Sequence, residues 1–365
     1  MGDLVEAYTR GRYHRAHVMG ERRLRDGRAA EGAQMAHRVL YYTLDGDTSD
    51  AQALLEQMGM ADEISLAGCS HAVLEPPTAE QLAGCEGFIG EFAPVPTSTA
   101  DVMAAAGVRV VASMSIGLNH LDVTTLCEHG IAVANCPGYC AEDVATHTIA
   151  LMLDLMRKVT FTNREAVAGT WDPKGGGYEV YRTQGRTLGL VFFGRIAQAV
   201  VPVARALGMR VLVWAPTKTA NELAAAGCER AETLDELLEA SDVVSLHCPL
   251  IPETEHLIGA RELELMKPTA YLINTARGAV VDEDALVAAL DKNMASNGMH
   301  GIRAAGLDVL ANETEPNRAL IGHPRCLVTP HSAYDSVEAS ENLRRMTLES
   351  VCDVLVRGEA PRYAV

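Results

Sequence analysis

Five short apolar runs, at 188–193, 210–214, 242–247, 270–274 and 304–309, alternate with stretches of helical periodicity at 195–207, 234–240 and 282–290. A helix between two strands carries the chain back along the sheet, so the strands must run parallel. The pattern predicts a doubly wound α/β unit with helices on both faces. Pro202 falls inside the first of these helices and is expected to bend it.

Upstream, 38–43 (RVLYYT) and 108–113 (VRVVAS) read as strands, and 122–129 reads as a helix leading through Gly130 into 131–134. In 141–158, Val144, Thr148, Leu151, Met152 and Leu155 recur at helical spacing, as in a helix connecting two lobes. The Gly-rich stretch 168–185 marks a surface excursion. A length of 365 residues suits two domains. The expected fold is α/β, with two Rossmann-like parallel-sheet domains, a cleft between them and a polar, arginine-rich extension over 1–37 that lacks a secretory h-region.

The formal charge of −17 excludes nucleic acid and anionic lipid as general partners, so an anionic substrate would need a local cation. No apolar run approaches the roughly 20 residues of a membrane span. Nine scattered cysteines without metal-ligand spacing read as reduced thiols of a cytoplasmic protein, with no metal site.

GLVFFGRIAQ (189–198) has the order of a dinucleotide-binding turn, with Phe192 where the first glycine belongs, Gly194 in the second place and Ala197 in the third. Backbone amides at Gly194, Arg195 and Ile196 can still meet a pyrophosphate, because they belong to the helix N-terminus. If the Phe192 ring crowds that site, Phe192→Gly raises cofactor affinity. The second strand runs into Ala215, Pro216, Thr217 and Lys218, without the carboxylate that takes ribose hydroxyls. Lys218 suits a 2′-phosphate or is a solvated loop lysine, which leaves NAD and NADP both open.

Further on, YLINTARGAVVD presents Asn274, Thr275 and Arg277 at a strand end, AGLDVLANETEP carries Asp308 and Glu313, and CLVTPHSAY carries His331. Here the chain resembles the D-isomer-specific 2-hydroxyacid dehydrogenases, which use an Arg, a Glu and a His in that chain order. The resemblance runs from about residue 38 to the C-terminus. It takes in SMSIGLNHLD, similar to the substrate loop of glyoxylate/hydroxypyruvate reductases, GIAVANCPG, HCPLIPETEHLI, NTARG, and PHSAYDSVEAS, which looks like the branch containing the C-terminal-binding proteins.

The resemblance implies an NAD(P)-dependent oxidoreductase that interconverts a small 2-keto acid and its D-2-hydroxy acid. Its substrate-binding domain would be 38–137 with 322–365, and its dinucleotide-binding domain 138–321. Arg277 would grip the substrate carboxylate through paired charge-assisted bonds. Amides of Ser115, Ile116 and Gly117 would take its other side, and Phe92 would wall the pocket. His331 would hand a proton to the carbonyl oxygen, with a carboxylate favouring the charged ring. Counting from Asp308 selects Glu313 as that carboxylate, whereas Glu315 keeps the family's Glu-Pro pair. By the same carry-over His247, Cys248, Pro249, Thr254, Thr275 and Ala276 border the cofactor, and Asp308 meets its carboxamide. His120, His147 and His323 read as structural. A homodimer built on the nucleotide lobe is implied. A regulatory scaffold that has lost turnover is the alternative suggested by Phe192 and Ala215, with a formate or phosphite oxidiser behind it. Retention of Arg277, His331 and a glutamate weighs against the scaffold.

Overall fold

The computed structural model describes residues 36–365; the arginine-rich stretch 1–35 lies outside them. The chain forms two compact units, one spanning Cys140–Asp335 and the other 36–139 with Ser336–Val365.

The second unit is built on five parallel strands, β1 (His37–Thr43), β2 (Ile64–Ser70), β3 (Gly87–Gly90), β4 (Val110–Ser113) and β5 (Ala132–Ala134), in the order β2-β1-β3-β4-β5. The first contains β6 (Thr187–Val191), β7 (Arg210–Trp214), β8 (Glu229–Arg230), β9 (Val243–Leu246), β10 (Tyr271–Asn274), β11 (Ala304–Leu307) and β12 (Cys326–Val328). Their order is β12-β11-β10-β9-β6-β7-β8, again all parallel. Both sheets are doubly wound, and the direction of winding reverses between β1 and β3 and between β6 and β9. In such sheets ligands bind beyond the carboxyl ends of the strands at the reversal.

Strands covered on both faces read as continuous apolar runs. Accordingly β6, β9, β10 and β11 are buried at every position. The helix Ala141–Arg157 buries Val144, Thr148, Leu151, Met152 and Leu155, as their spacing requires, and contacts β10 and β11. The helix Arg195–Ala206 continues through Pro202 without a break.

Three features differ from the sequence reading. β1 already begins at His37, inside the expected polar extension. The larger unit continues to Asp335 instead of ending near Gly322, because Cys326–Val328 adds to its sheet beside β11. The third is Phe192. Its backbone has φ +71° and its ring is 3% exposed, set edge-on against Trp214 with centroids 5.8 Å apart. The ring therefore fills the core between the ends of β6 and β7 and does not crowd the turn. Burying a phenylalanine contributes about 2–3 kcal/mol, more than the roughly 1–2 kcal/mol cost of a left-handed residue, so the aromatic wins.

Among the described residues no helix is long and apolar enough to cross a membrane. Phe192→Gly is expected to lower unfolding stability by about 2 kcal/mol through the cavity it leaves, measured as a lower urea midpoint at unchanged slope. It should not raise nucleotide affinity.

Candidate active site

The turn after β6 opens into a helix N-terminus. Gly194 precedes Arg195–Ala206, no side chain caps that end, and a Cβ built on Gly194 meets no atom within 4 Å. Open space over a helix start is what an anion needs. Across the reversal, the His247 amide donates to Val191 O at 3.0 Å, tying the turn after β9 to the turn after β6.

The side chains in that second turn face inward. Cys248 is 3% exposed, and burial pushes its thiol up to about 12. The Thr254 hydroxyl is fully buried, donates to Pro249 O at 2.6 Å and accepts from the Ile251 amide at 2.9 Å. Cys248 and Thr254 thus build the turn through their side chains, and Pro249 stands exposed at its rim. His247 places Nε2 3.0 Å from Ser245 Oγ, and burial pushes it down to about 4, so the ring is neutral. After β7, Lys218 Nζ lies 3.2 Å from Glu222. Hydrogen bonds from the Thr219 amide and hydroxyl, then from Lys218, hold the Glu222 carboxyl down to about 2. Lys218 therefore already has a partner in the first turn of the next helix.

At the end of β10 a buried asparagine shapes the exit. Asn274 Oδ1 accepts from the Ala276 amide at 3.0 Å while its Nδ2 donates to Arg277 O at 2.9 Å. Thr275 Oγ1 lies 2.8 Å from Thr148 Oγ1 on the long helix. Gly278 packs on the backbone of Leu310: a Cβ there would stand 1.9 Å from Leu310 C, so no side chain fits. Between these restraints Arg277 is half-buried and donates from Nη1 to Ala276 O at 2.7 Å.

The loops after β11 and β12 carry Glu313 and His331. Asp308, 2% exposed, accepts from Thr329 Oγ1 at 2.6 Å, from the Ser332 amide at 2.9 Å and from the Ala333 amide at 3.0 Å. His147 Nε2 lies 2.9 Å from Thr329 Oγ1; because that hydroxyl gives its proton to Asp308, His147 is the donor. The clamped loop holds His331 at φ +52°, a left-handed conformation that surrounding contacts must over-determine. Its Nδ1 is 2.9 Å from Glu313 Oε2. Glu315 instead lies exposed, its amide on Asn312 Oδ1. Half-burial pushes the Glu313 carboxyl up, but the His331 hydrogen bond and the charges of His331 and Arg277 outweigh it and the net shift is downward. Arg277, Glu313 and His331 thus share one electrostatic neighbourhood. Asp308 anchors that neighbourhood, its carboxylate accepting from the loop that carries His331.

In the other unit the segment after β4 is held by Ser113 Oγ, 2.8 Å from Ser115 Oγ and 3.1 Å from His120 Nε2, and by Ser115 Oγ donating to Gly117 O at 2.7 Å. No acceptor among the described residues takes the amide hydrogens of Ser115, Ile116 or Gly117. Backbone amides without an internal acceptor are available to an external one. Phe92 follows β3 with φ +48°, at the reversal of that sheet.

Two doubly wound sheets with an open glycine turn at a reversal define a protein of the dinucleotide-binding α/β class. Residues 149–333 match the family model described as D-isomer specific 2-hydroxyacid dehydrogenase, NAD binding domain. The chain is 38% identical to a glyoxylate reductase of Korarchaeum cryptofilum over 264 residues, 71% of this chain and 76% of that one. It is 34% identical to a hydroxypyruvate reductase of Blautia hydrogenotrophica over 253 residues, 68% of this chain and 76% of that one. The structure of apo D-lactate dehydrogenase from Escherichia coli superposes with a TM-score of 0.74 at 28% identity, covering 90% of this chain and 99% of that one. The chain belongs to the D-isomer specific 2-hydroxyacid dehydrogenase family.

The residues present fit a nicotinamide dinucleotide where backbone carries the recognition, at the open Gly194 turn. They depart from the usual pattern at the adenosine end, where the second strand closes on Trp214 and Ala215, both buried. Sequence reasoning missed the bracing of Asn274, Thr148, Thr329 and His147. Their polarity inside apolar segments was the available signal, since buried polar groups need partners.

The neutral state of His247 has a consequence for acid stability. Unfolded, this histidine would titrate near the ordinary 6.5, and folded near 4. Protons therefore bind the unfolded chain preferentially in that window, and stability falls as pH drops below 6.5, by up to about 3 kcal/mol at pH 4. In denaturant titrations at pH 7 and 4.5, His247→Asn should lose less stability between the two than the parent chain does.

Proposed function

We propose that this chain interconverts a small 2-keto acid and its D-2-hydroxy acid with NAD or NADP as the redox partner, in the unit Cys140–Asp335. The observation that carries the reading is the 2.9 Å contact of His331 Nδ1 with Glu313 in the charge field of Arg277, at the carboxyl edge of a sheet with an open glycine turn. The nicotinamide supplies or accepts the hydride when bound. Arg277 holds the substrate carboxylate, because a guanidinium offers two parallel donors at fixed spacing. Glu313 occupies Nδ1 of His331, which leaves Nε2 to carry the proton toward the carbonyl oxygen as negative charge develops there. Asp308 fixes the loop, so that the imidazole does not have to be ordered at each turnover. The amides of Ser115, Ile116 and Gly117 support a carboxylate-binding role for the unit that holds them.

Purified protein assayed with glyoxylate, hydroxypyruvate and pyruvate should consume NADH or NADPH. Failure with every 2-keto acid under both cofactors contradicts the reading. Arg277→Lys should lower kcat/KM by roughly 100-fold or more, chiefly by weakening substrate binding. Glu313→Gln should lower kcat by roughly 100-fold in steady-state assays, since the amide loses the charge-assisted bond that orients the imidazole.

We also propose a cytoplasmic homodimer. Nine free thiols suit a reducing compartment. Val159, Val167 and Trp171 are 60%, 82% and 92% exposed within a short stretch of the larger unit, an apolar surface of the kind that a second copy covers. Trp171→Asp is expected to shift the protein from dimer to monomer by size-exclusion chromatography with light scattering.

A further inference from the structure

The amino edge of the larger sheet, opposite Gly194, Arg277 and His331, carries a second concentration of charge. Arg186, Arg303 and Arg325 stand immediately before β6, β11 and β12, and Tyr271 opens β10. Because these strands are parallel, all four residues fall on one edge. Tyr178, from the Gly-rich excursion, lies over this edge: its ring centroid is 4.9 Å from Arg325 Cζ, 6.0 Å from Arg303 Cζ and 5.5 Å from Lys158 Nζ.

Lys158 is 7% exposed and Arg303 6%. Neither they nor Arg325 has a carboxylate oxygen within 4.0 Å among the described residues. Their hydrogen bonds go to carbonyls: Lys158 donates to Gly175 O and Tyr178 O, Arg303 to Glu179 O, and Arg325 to Gly177 O and Arg303 O. The carboxylates of this region are committed elsewhere: Asp242, before β9 on the same edge, pairs with Arg186 and Lys267, Glu165 accepts from the Gly176 amide and Asp154 from Thr160. Burial lowers the pKa of Arg325, and the charge of Arg303 adds to the effect. Carbonyls satisfy donors but do not neutralise charge, and buried like charges without a counter-ion are costly.

Two fully enclosed atoms at this edge also lack a partner among the described residues, Arg303 Nε and Tyr271 Oη. Tyr271 lies in the fields of Arg303, Arg186 and Arg325, and burial pushes it up to about 12, so its hydroxyl keeps its proton. Both orphan atoms are therefore donors. A water could accept from them without balancing the charge, whereas an anion does both.

We propose that Lys158, Arg303, Arg325 and the Tyr271 hydroxyl form a second binding site, on the amino edge of the seven-stranded sheet, for a small tetrahedral oxyanion of the phosphate class. The test is calorimetric titration of inorganic phosphate into the full chain at constant ionic strength, with NADH or NADPH saturating so that the Gly194 turn is filled. Saturable binding beyond that of sodium chloride is expected. Arg325→Gln and Tyr271→Phe should each weaken it about tenfold or more, the loss of a hydrogen bond to a charged group. Tyr271→Phe keeps the packing of the strand, so it reads binding even if the arginine variant folds poorly. No response above chloride, or binding of equal strength in the parent chain and both variants, overturns the proposal.

Discussion

A single buried carboxylate organises the chemistry of this protein. Asp308 stands at the end of β11 and gathers one hydroxyl and two amides from the segment that follows β12. Without that charge, the 329–333 loop would leave two amides unsatisfied in the interior and would have no reason to hold His331 in a left-handed conformation. Thr329 and His147 extend the same network to the long helix, so the imidazole is referenced to the core of the unit and not to a mobile surface. The contact of His331 with Glu313 is the product of this arrangement.

The two edges of the seven-stranded sheet then separate two kinds of work. At the carboxyl edge lie the helix start at Gly194 that no side chain caps, a neutral His247 and the Arg277–Glu313–His331 group. At the amino edge, Asp242 takes Arg186 and Lys267, while Lys158, Arg303 and Arg325 meet tyrosines with no carboxylate oxygen within 4.0 Å among the described residues. Parallel strands make this division possible, since every residue at a strand's start lies on one side and every residue at its end on the other. The net charge of −17 makes both cationic sites local exceptions on an acidic molecule, which favours selection of anions by geometry and not by long-range attraction.

Much of this was legible before any coordinates. Strands β6, β7, β9, β10 and β11 announce themselves because burial on both faces demands unbroken apolar runs, and the helix Ala141–Arg157 because its apolar positions recur in register. β2 and β3 are diluted by glycine, serine and cysteine, and β12 is three residues long, so neither period nor length marks them. Chain order and type pointed to Arg277 and His331. Counting from Asp308 favours Glu313 over Glu315 against the Glu-Pro pattern, and the loop geometry brings Glu313 to 2.9 Å from Nδ1. Phe192 looked like an obstruction in the turn, since a sequence shows which residue replaces glycine but not which way its ring points. Trp214 decides that, by offering the ring a place in the core.

The account rests on a protonated His331 beside a carboxylate gripped by Arg277. Its most direct test is calorimetry of oxamate, an unreactive mimic of a 2-keto acid, binding to the protein saturated with reduced cofactor, in buffers of different ionisation enthalpy. The account predicts that binding is coupled to proton uptake, and that His331→Ala abolishes the uptake. Binding without proton uptake at any pH, or uptake unchanged in the variant, would contradict it.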